Sequence, residues 1–310
     1  MTAPPDKTNC RPASAGDAGQ RLWSPVLWFF ALAYGITGVG MWVNSLALHR
    51  LASGTEINFQ TMPWLRYAPY VLWAGPCLAG LLMTLFLYGL PGVRRLAVRL
   101  NPWTVRRAWP VLAVCLLLPL GVVLAFSILA ALGVAIPPPS WKRLPHYLYD
   151  AVIGEGLLGA ALFEEIGWRG FALPHLQRHY SALVSSLILG LVWAFWHFPN
   201  FPAFTPSLLA VFVPKIMALS LIFTWAYNST GGSLFTVVLL HGAINASASL
   251  LAVPDANDKL AEMRQELIIV PLFAVIALGL VWRYGAANLS WRDRVVAEPP
   301  APAPRPVGAA

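Results

Sequence analysis

Apolar runs long enough to cross a lipid bilayer recur along this chain and leave little room for any other architecture. A spanning helix needs about 20 mostly apolar residues. Eight stretches qualify, at 23–48, 67–90, 108–135, 147–168, 182–202, 207–227, 233–253 and 266–285. Of the 310 residues, 58% are hydrophobic and 11% are charged, against about 25% charged in soluble domains. The fold class is therefore all-α: a polytopic membrane bundle of about eight transmembrane helices, with the lipid bilayer as its first partner. The net charge of +8 falls largely on segments flanking the spans, where basic residues orient helices and meet lipid head groups. No nucleic-acid partner is implied. Cys10, Cys77 and Cys115 have no metal-ligand or redox spacing.

The chain divides into a polar tail at 1–22, a membrane domain at 23–286 and a Pro/Ala-rich tail at 287–310, expected to be disordered. The first apolar run is too long for a signal-peptide core and reads as an uncleaved span. With eight spans, thirteen Lys and Arg fall on the side of the termini and six on the other. The positive-inside rule then predicts cytoplasmic N- and C-termini. The basic stretch P-G-V-R-R-L-A-V-R-L-N-P is either a short amphipathic surface helix or a simple stop-transfer cluster. Arginine outnumbers lysine 17 to 4, the bias of a GC-rich genome, and a bacterial plasma membrane is the expected location.

Against this background the run E-E-I-G-W-R-G-F is anomalous, because it sets Glu164, Glu165 and Arg169 inside an apolar span. Each charge costs about 2.5–3.5 kcal/mol near the bilayer centre, so the three must be paired or wetted. Glu165 and Arg169 are one helical turn apart and can form a salt bridge. Glu164 is rotated by about 100° and must face a wet interior, which implies a polar intramembrane chamber. Two later spans carry matching groups: His197 on the fifth, and His241 with Asn245 one turn on in the seventh. Gly242, Ala243, Ala246, Ser247 and Ala248 surround that last pair, and such small residues let helices approach closely. A lone intramembrane histidine, Arg–Glu pair or asparagine has an ordinary structural reading. Their joint appearance on three spans points to a shared site. Glu155 and Lys215 lie at similar depths on the fourth and sixth spans and read as a structural ion pair.

A carboxylate and an imidazole can hold and deprotonate water, while a second imidazole and an amide can donate to a developing oxyanion. That set suits amide hydrolysis within the membrane. Glu164, His197 and His241 would equally make a two-histidine, one-carboxylate Zn2+ site with an open position. Asn245 or Glu165 would then assist the bound water. The residues leave both routes open, and the route requiring no cofactor is preferred. Neither G-x-S-x-G nor H-E-x-x-H is present.

These residues resemble the CAAX prenyl protease and bacteriocin-processing (CPBP) intramembrane proteases, a family labelled metalloproteases although a metal-free glutamate mechanism is also argued. E-E-I-G-W-R matches the E-E-x-x-x-R motif. W-A-F-W-H matches F-x-x-x-H, with Trp193 in place of phenylalanine, and H-G-A-I-N matches H-x-x-x-N. The resemblance covers about 147–253, taken as the catalytic core helices. It implies about eight helices around a polar chamber open to the cytoplasm. It also implies that Glu164 and His197 activate water, that His241 and Asn245 form an oxyanion hole, and that Glu165 and Arg169 hold the helix end. The expectation is thus an intramembrane endopeptidase, a hydrolase acting on a peptide or protein substrate that is membrane-associated. The alternatives are a non-catalytic immunity or chaperone-like protein of the same fold, or an ion-coupled transporter. One tension remains: Glu164 falls near the cytoplasmic end of its span, whereas His197 falls about 15 residues along the next. The site closes only if 169–181 dip into the membrane or the fifth span starts deep.

Overall fold

A computed structural model describes residues 15–52, 68–105, 120–121, 123–133, 141–198, 205–250 and 259–298. Within these residues the chain is predominantly helical, with no strand. Helix α1 spans Ala15–Ala52 and α2 Ala68–Val98. Helix α3 is the stretch 123–131. Helix α4 (Leu144–Tyr149) runs on as a π-helical stretch, Asp150–Leu157. Helix α5 (Ala160–Gly167) continues through a second π-stretch, Trp168–Ala172, into α6 (Leu173–Leu176). Then come α7 (Ala182–Trp196), α8 (Pro206–Ser229), α9 (Leu234–Leu250) and α10 (Lys259–Asn288).

Among the described residues, four helices are long and apolar enough to cross a membrane, at Pro25–Val43, Trp73–Val98, Pro206–Ser229 and Met263–Asn288. Two shorter apolar helices, Ala182–Trp196 and Leu234–Ser247, fall inside further expected spans. The expected span at 108–135 lies mostly outside the described residues. The expected span at 147–168 is corrected: the helix breaks at Leu158–Gly159, and the part bearing the charges runs on to Leu176. Glycines at 154, 156 and 159 weaken the helix there, and Gly159 is extended at φ −110, ψ −162.

Close helix approach explains two other glycines. A Cβ on Gly167 would run into the Pro76 carbonyl of α2, and one on Gly242 would run into the Ala151 carbonyl and lie 2.8 Å from Gly156 Cα. The first contact seats α5 on α2. The second seats α9 on the π-stretch that carries Glu155. Around these contacts one large apolar core forms, with Phe29, Trp168, Phe171, Trp193 and Phe223 at its centre.

One end of the bundle gathers the arginines. Helix α2 kinks at Gly89 (φ 62) and continues as a helix to Val98, carrying Arg94 and Arg95. The Arg99 carbonyl accepts from Leu234 N at 2.9 Å, and Arg99 Nη1 donates to Tyr227 OH at 2.7 Å. Gln177 and Asn228 exchange side-chain amide bonds at 2.8 and 3.1 Å. Residues 289–298 dock on the same end: Ala297 N donates to the Pro174 carbonyl and Arg294 Nε to the Gln177 carbonyl, each at 3.0 Å. The expectation of disorder from 287 is therefore corrected for 287–298. Helix α10 runs to Asn288, and polar groups from Gln177 and Asn228 satisfy the backbone that follows.

Substituting Gly167→Leu would force α5 off α2, and overpacking of this kind costs about 1–3 kcal/mol or more. Size-exclusion profiles in detergent should show a loss of monodisperse protein. Gly279→Leu should leave the profile unchanged, because nothing lies within 4 Å of a Cβ at that position.

Candidate active site

The hairpin of α5–α6 and α7 builds the centre of the site. Its turn lies at 177–181, so Glu164 and Trp193 stand at matching heights on its two arms. Trp193 Nε1 donates to Glu164 Oε2 at 2.5 Å. This answers the geometric tension in the sequence. The charged helix does not stop at 168, so Glu164 lies well inside the hairpin rather than at its end. Arg169 does not terminate the helix because its charge is neutralised within it: Nη1 donates to Glu165 Oε1 at 2.8 Å, with both side chains fully buried. The guanidinium also lies 4.6 Å from the Trp193 ring centroid and 4.9 Å from that of Phe223, where aromatic faces attract a cation.

Glu165 Oε1 has a second partner, His241 Nδ1 of α9, at 2.8 Å. One carboxylate oxygen thus joins two helices, and it sets the direction of the His241 ring, leaving Nε2 free of that contact. His197 closes α7 as its C-cap, with Nδ1 at 2.8 Å from the Trp193 carbonyl. A ring nitrogen facing a carbonyl must carry the proton, so the neutral His197 ring keeps its lone pair on Nε2. Asn245 stands one turn beyond His241, and its Nδ2 donates to Glu155 Oε2 at 3.3 Å.

Glu164, His197, His241 and Asn245 all line one cavity of about 370 Å³. That volume is in the range of small-ligand clefts. Glu155, Lys215 and Glu266 also line it. Glu165 and Arg169 do not; they lie behind it as a buried support.

The expected ion pair between Glu155 and Lys215 is not formed. Lys215 Nζ pairs with Glu266 of α10 and sits 5.4 Å from the Phe212 ring centroid. Depth alone suggested the pair, but helix packing decides it. Helix α8 lies along α10, whereas the π-stretch bearing Glu155 lies along α9. Glu266 sits at the margin of an apolar run, where a carboxylate carries no sequence signal of burial. Trp193 stands where the motif has phenylalanine, and in sequence it reads as one aromatic ring exchanged for another. Its indole N–H holds Glu164, a bond phenylalanine cannot make, and the signal was available in the residue type itself.

Among the described residues no three His, Cys, Asp or Glu side chains form a group able to hold a metal ion. Trp193 lies beside both imidazoles, its ring centroid 5.9 Å from that of His197 and 5.4 Å from that of His241.

Comparison with known proteins places the similarity on this same segment. Residues 151–247 match the family model described as type II CAAX prenyl endopeptidase, Rce1-like. A CAAX prenyl protease 2 from Methanococcus maripaludis is 35% identical over 107 residues, which is 31% of this chain and 40% of that relative. The match thus spans less than half of the relative's length. Both findings support the CPBP/CAAX protease family, and the matched segment contains every candidate site residue from Glu155 to Asn245.

Removing one member of the buried Glu165–Arg169 pair leaves an uncompensated charge, at about 3–5 kcal/mol. Arg169→Met should therefore fail to accumulate as folded protein. The double variant Glu165→Gln/Arg169→Met should recover much of the loss, measured as the fraction surviving a thermal ramp in detergent.

Proposed function

We propose that this chain is an intramembrane endopeptidase that hydrolyses a peptide bond with a water activated by Glu164 and His197. The observation that supports this reading most is the convergence of Glu164, His197, His241 and Asn245 from three helices on one cavity. Trp193 holds Glu164 Oε2, so Oε1 is the oxygen offered to water. His197 Nε2 takes a second hydrogen bond from the same molecule, which fixes its orientation for attack.

The chemistry then closes on the chain's own groups. Glu164 takes a proton as the water oxygen bonds to the carbonyl carbon. The oxyanion that forms is received by Asn245 Nδ2, whose second hydrogen is not needed by Glu155. It is received also by His241 Nε2 when that ring carries both protons, with Glu165 as its counter-carboxylate. Glu164 returns the proton to the amide nitrogen, the C–N bond breaks, and a carboxylic acid and an amine form, the acid's proton passing to the amine as the two leave. No step passes through a metal ion. The substrate is a peptide or protein, membrane-associated by virtue of where the site lies, in a chain whose termini are cytoplasmic by its charge distribution.

Peptidase assays on purified protein test this. Glu164→Gln and His197→Ala should abolish cleavage. Asn245→Ala should lower kcat by about 10²–10³, and a chelator should leave the wild-type rate unchanged. If Glu164→Gln loses cleavage in the assay but keeps the cellular phenotype, the immunity or chaperone-like reading replaces this one.

Glu155 acts in this scheme as a positioning residue for Asn245. Glu155→Gln keeps an acceptor oxygen and should retain kcat. Glu155→Ala should lower kcat with little change in KM, and should add nothing further in an Asn245→Ala background.

A further inference from the structure

The helical segment that follows the Gly89 kink carries an excess of positive charge that the peptidase site does not use. Pro91, Arg94, Arg95, Val98 and Arg99 line one surface hollow. These positions recur at intervals of three and four residues, so they share one face of the helix. Arg94 is exposed and Arg95 half exposed. Among the described residues these three guanidinium groups meet one carboxylate, that of Glu298, at 3.6 Å from Arg95. Arg99 donates Nη1 to the Tyr227 hydroxyl at 2.7 Å, a contact that positions its charge without neutralising it.

Apolar side chains are exposed around the same arginines. Leu96 packs into the core, but Leu90 is 75% exposed and Val98 50%. Trp103, just beyond, is 91% exposed. On α10, Trp282 is 88% exposed and lies within two turns of the Asn288 end that Asn228 holds. Tryptophan is enriched at the level of lipid head groups, and a segment that exposes both arginine and apolar side chains belongs at that boundary.

We propose that the face formed by Arg94, Arg95 and Arg99 binds the phosphodiester head group of an anionic phospholipid. A guanidinium presents paired N–H donors that match two phosphate oxygens. The head group supplies the negative charge that Glu298 supplies only in part, and Leu90 and Val98 offer its acyl chains an apolar flank. That flank favours a lipid over a soluble anion, which has no use for it. The site is tied to the rest of the bundle through Arg99, whose carbonyl accepts from Leu234 N at the start of α9 at 2.9 Å. A ligand that binds the folded state alone stabilises it.

Thermal unfolding of the full chain in dodecylmaltoside tests this without requiring cleavage. Dioleoylphosphatidylglycerol, dioleoylphosphatidylcholine or inorganic phosphate is added at equal concentration. Phosphatidylglycerol should raise the midpoint by about 5 °C, and the other two should leave it unchanged. Arg94→Gln/Arg95→Gln should keep the lipid-free midpoint and lose most of the rise. Glu298→Gln should enlarge the rise, because the carboxylate competing for Arg95 is gone. No rise with phosphatidylglycerol, or an equal rise with phosphatidylcholine, overturns the proposal. An equal rise with inorganic phosphate assigns the arginines to a soluble anion and overturns it too. A rise that survives Arg94→Gln/Arg95→Gln, or that Glu298→Gln fails to enlarge, places the lipid elsewhere and has the same consequence. If Arg94→Gln/Arg95→Gln yields no folded protein, Glu298→Gln decides alone.

Discussion

A single oxygen, Glu165 Oε1, holds the centre of this molecule together. Charge buried among lipid-embedded helices persists only when matched, and this oxygen is matched twice, by Arg169 within its own helix and by His241 on α9. The first contact lets a charged segment remain helical through Leu176. The second fixes the distance between two helices and the orientation of an imidazole. Arg169 in turn spreads its charge over the faces of Trp193 and Phe223, which ties α7 and α8 to the same cluster. Four helices thus share one electrostatic solution, and the cavity is what remains beside it.

Irregular backbone does the rest of the positioning. Two π-stretches flank α5, one carrying Glu155 and the other Arg169. Such stretches reset the angular phase of a helix and recur at functional sites. The first lies against α9 where Gly156 and Gly242 remove the side chains that would hold the backbones apart. Glu155 consequently meets Asn245 rather than the lysine at its own depth. The Gly159 break separates this stretch from α5, so the two carboxylates at 155 and 164 belong to differently directed segments around one cavity.

Sequence was most informative where a rule of short range applied. The Glu165–Arg169 contact follows from helical spacing, and the His241–Asn245 face follows in the same way. The all-helical membrane class follows from run length and composition. What it did not convey depended on which helix lies beside which. Lys215 found Glu266 because α8 packs along α10, a fact absent from any one-dimensional pattern. The charged helix runs past the expected end at 168 to Leu176, because pairing of Glu165 with Arg169 inside it removes the reason to stop. The tail at 289–298 looked disordered by composition, yet Gln177 and Asn228, more than sixty residues away from most of it, complete its backbone hydrogen bonds.

Under the proposed mechanism the two adjacent glutamates carry separate tasks. A carboxylate that anchors Arg169 and His241 has one oxygen committed twice, and it sits where solvent does not reach. A carboxylate that handles protons must instead face the cavity. The rotation of about 100° between successive helical residues separates these demands. Glu165 turns into the packed interior, and Glu164 turns to the cavity with only Trp193 on one oxygen. Exchanging the two along the helix would bury the proposed proton carrier and expose the anchor. Their order therefore carries the division of labour, and Trp193 guards it by fixing which oxygen of Glu164 the cavity receives.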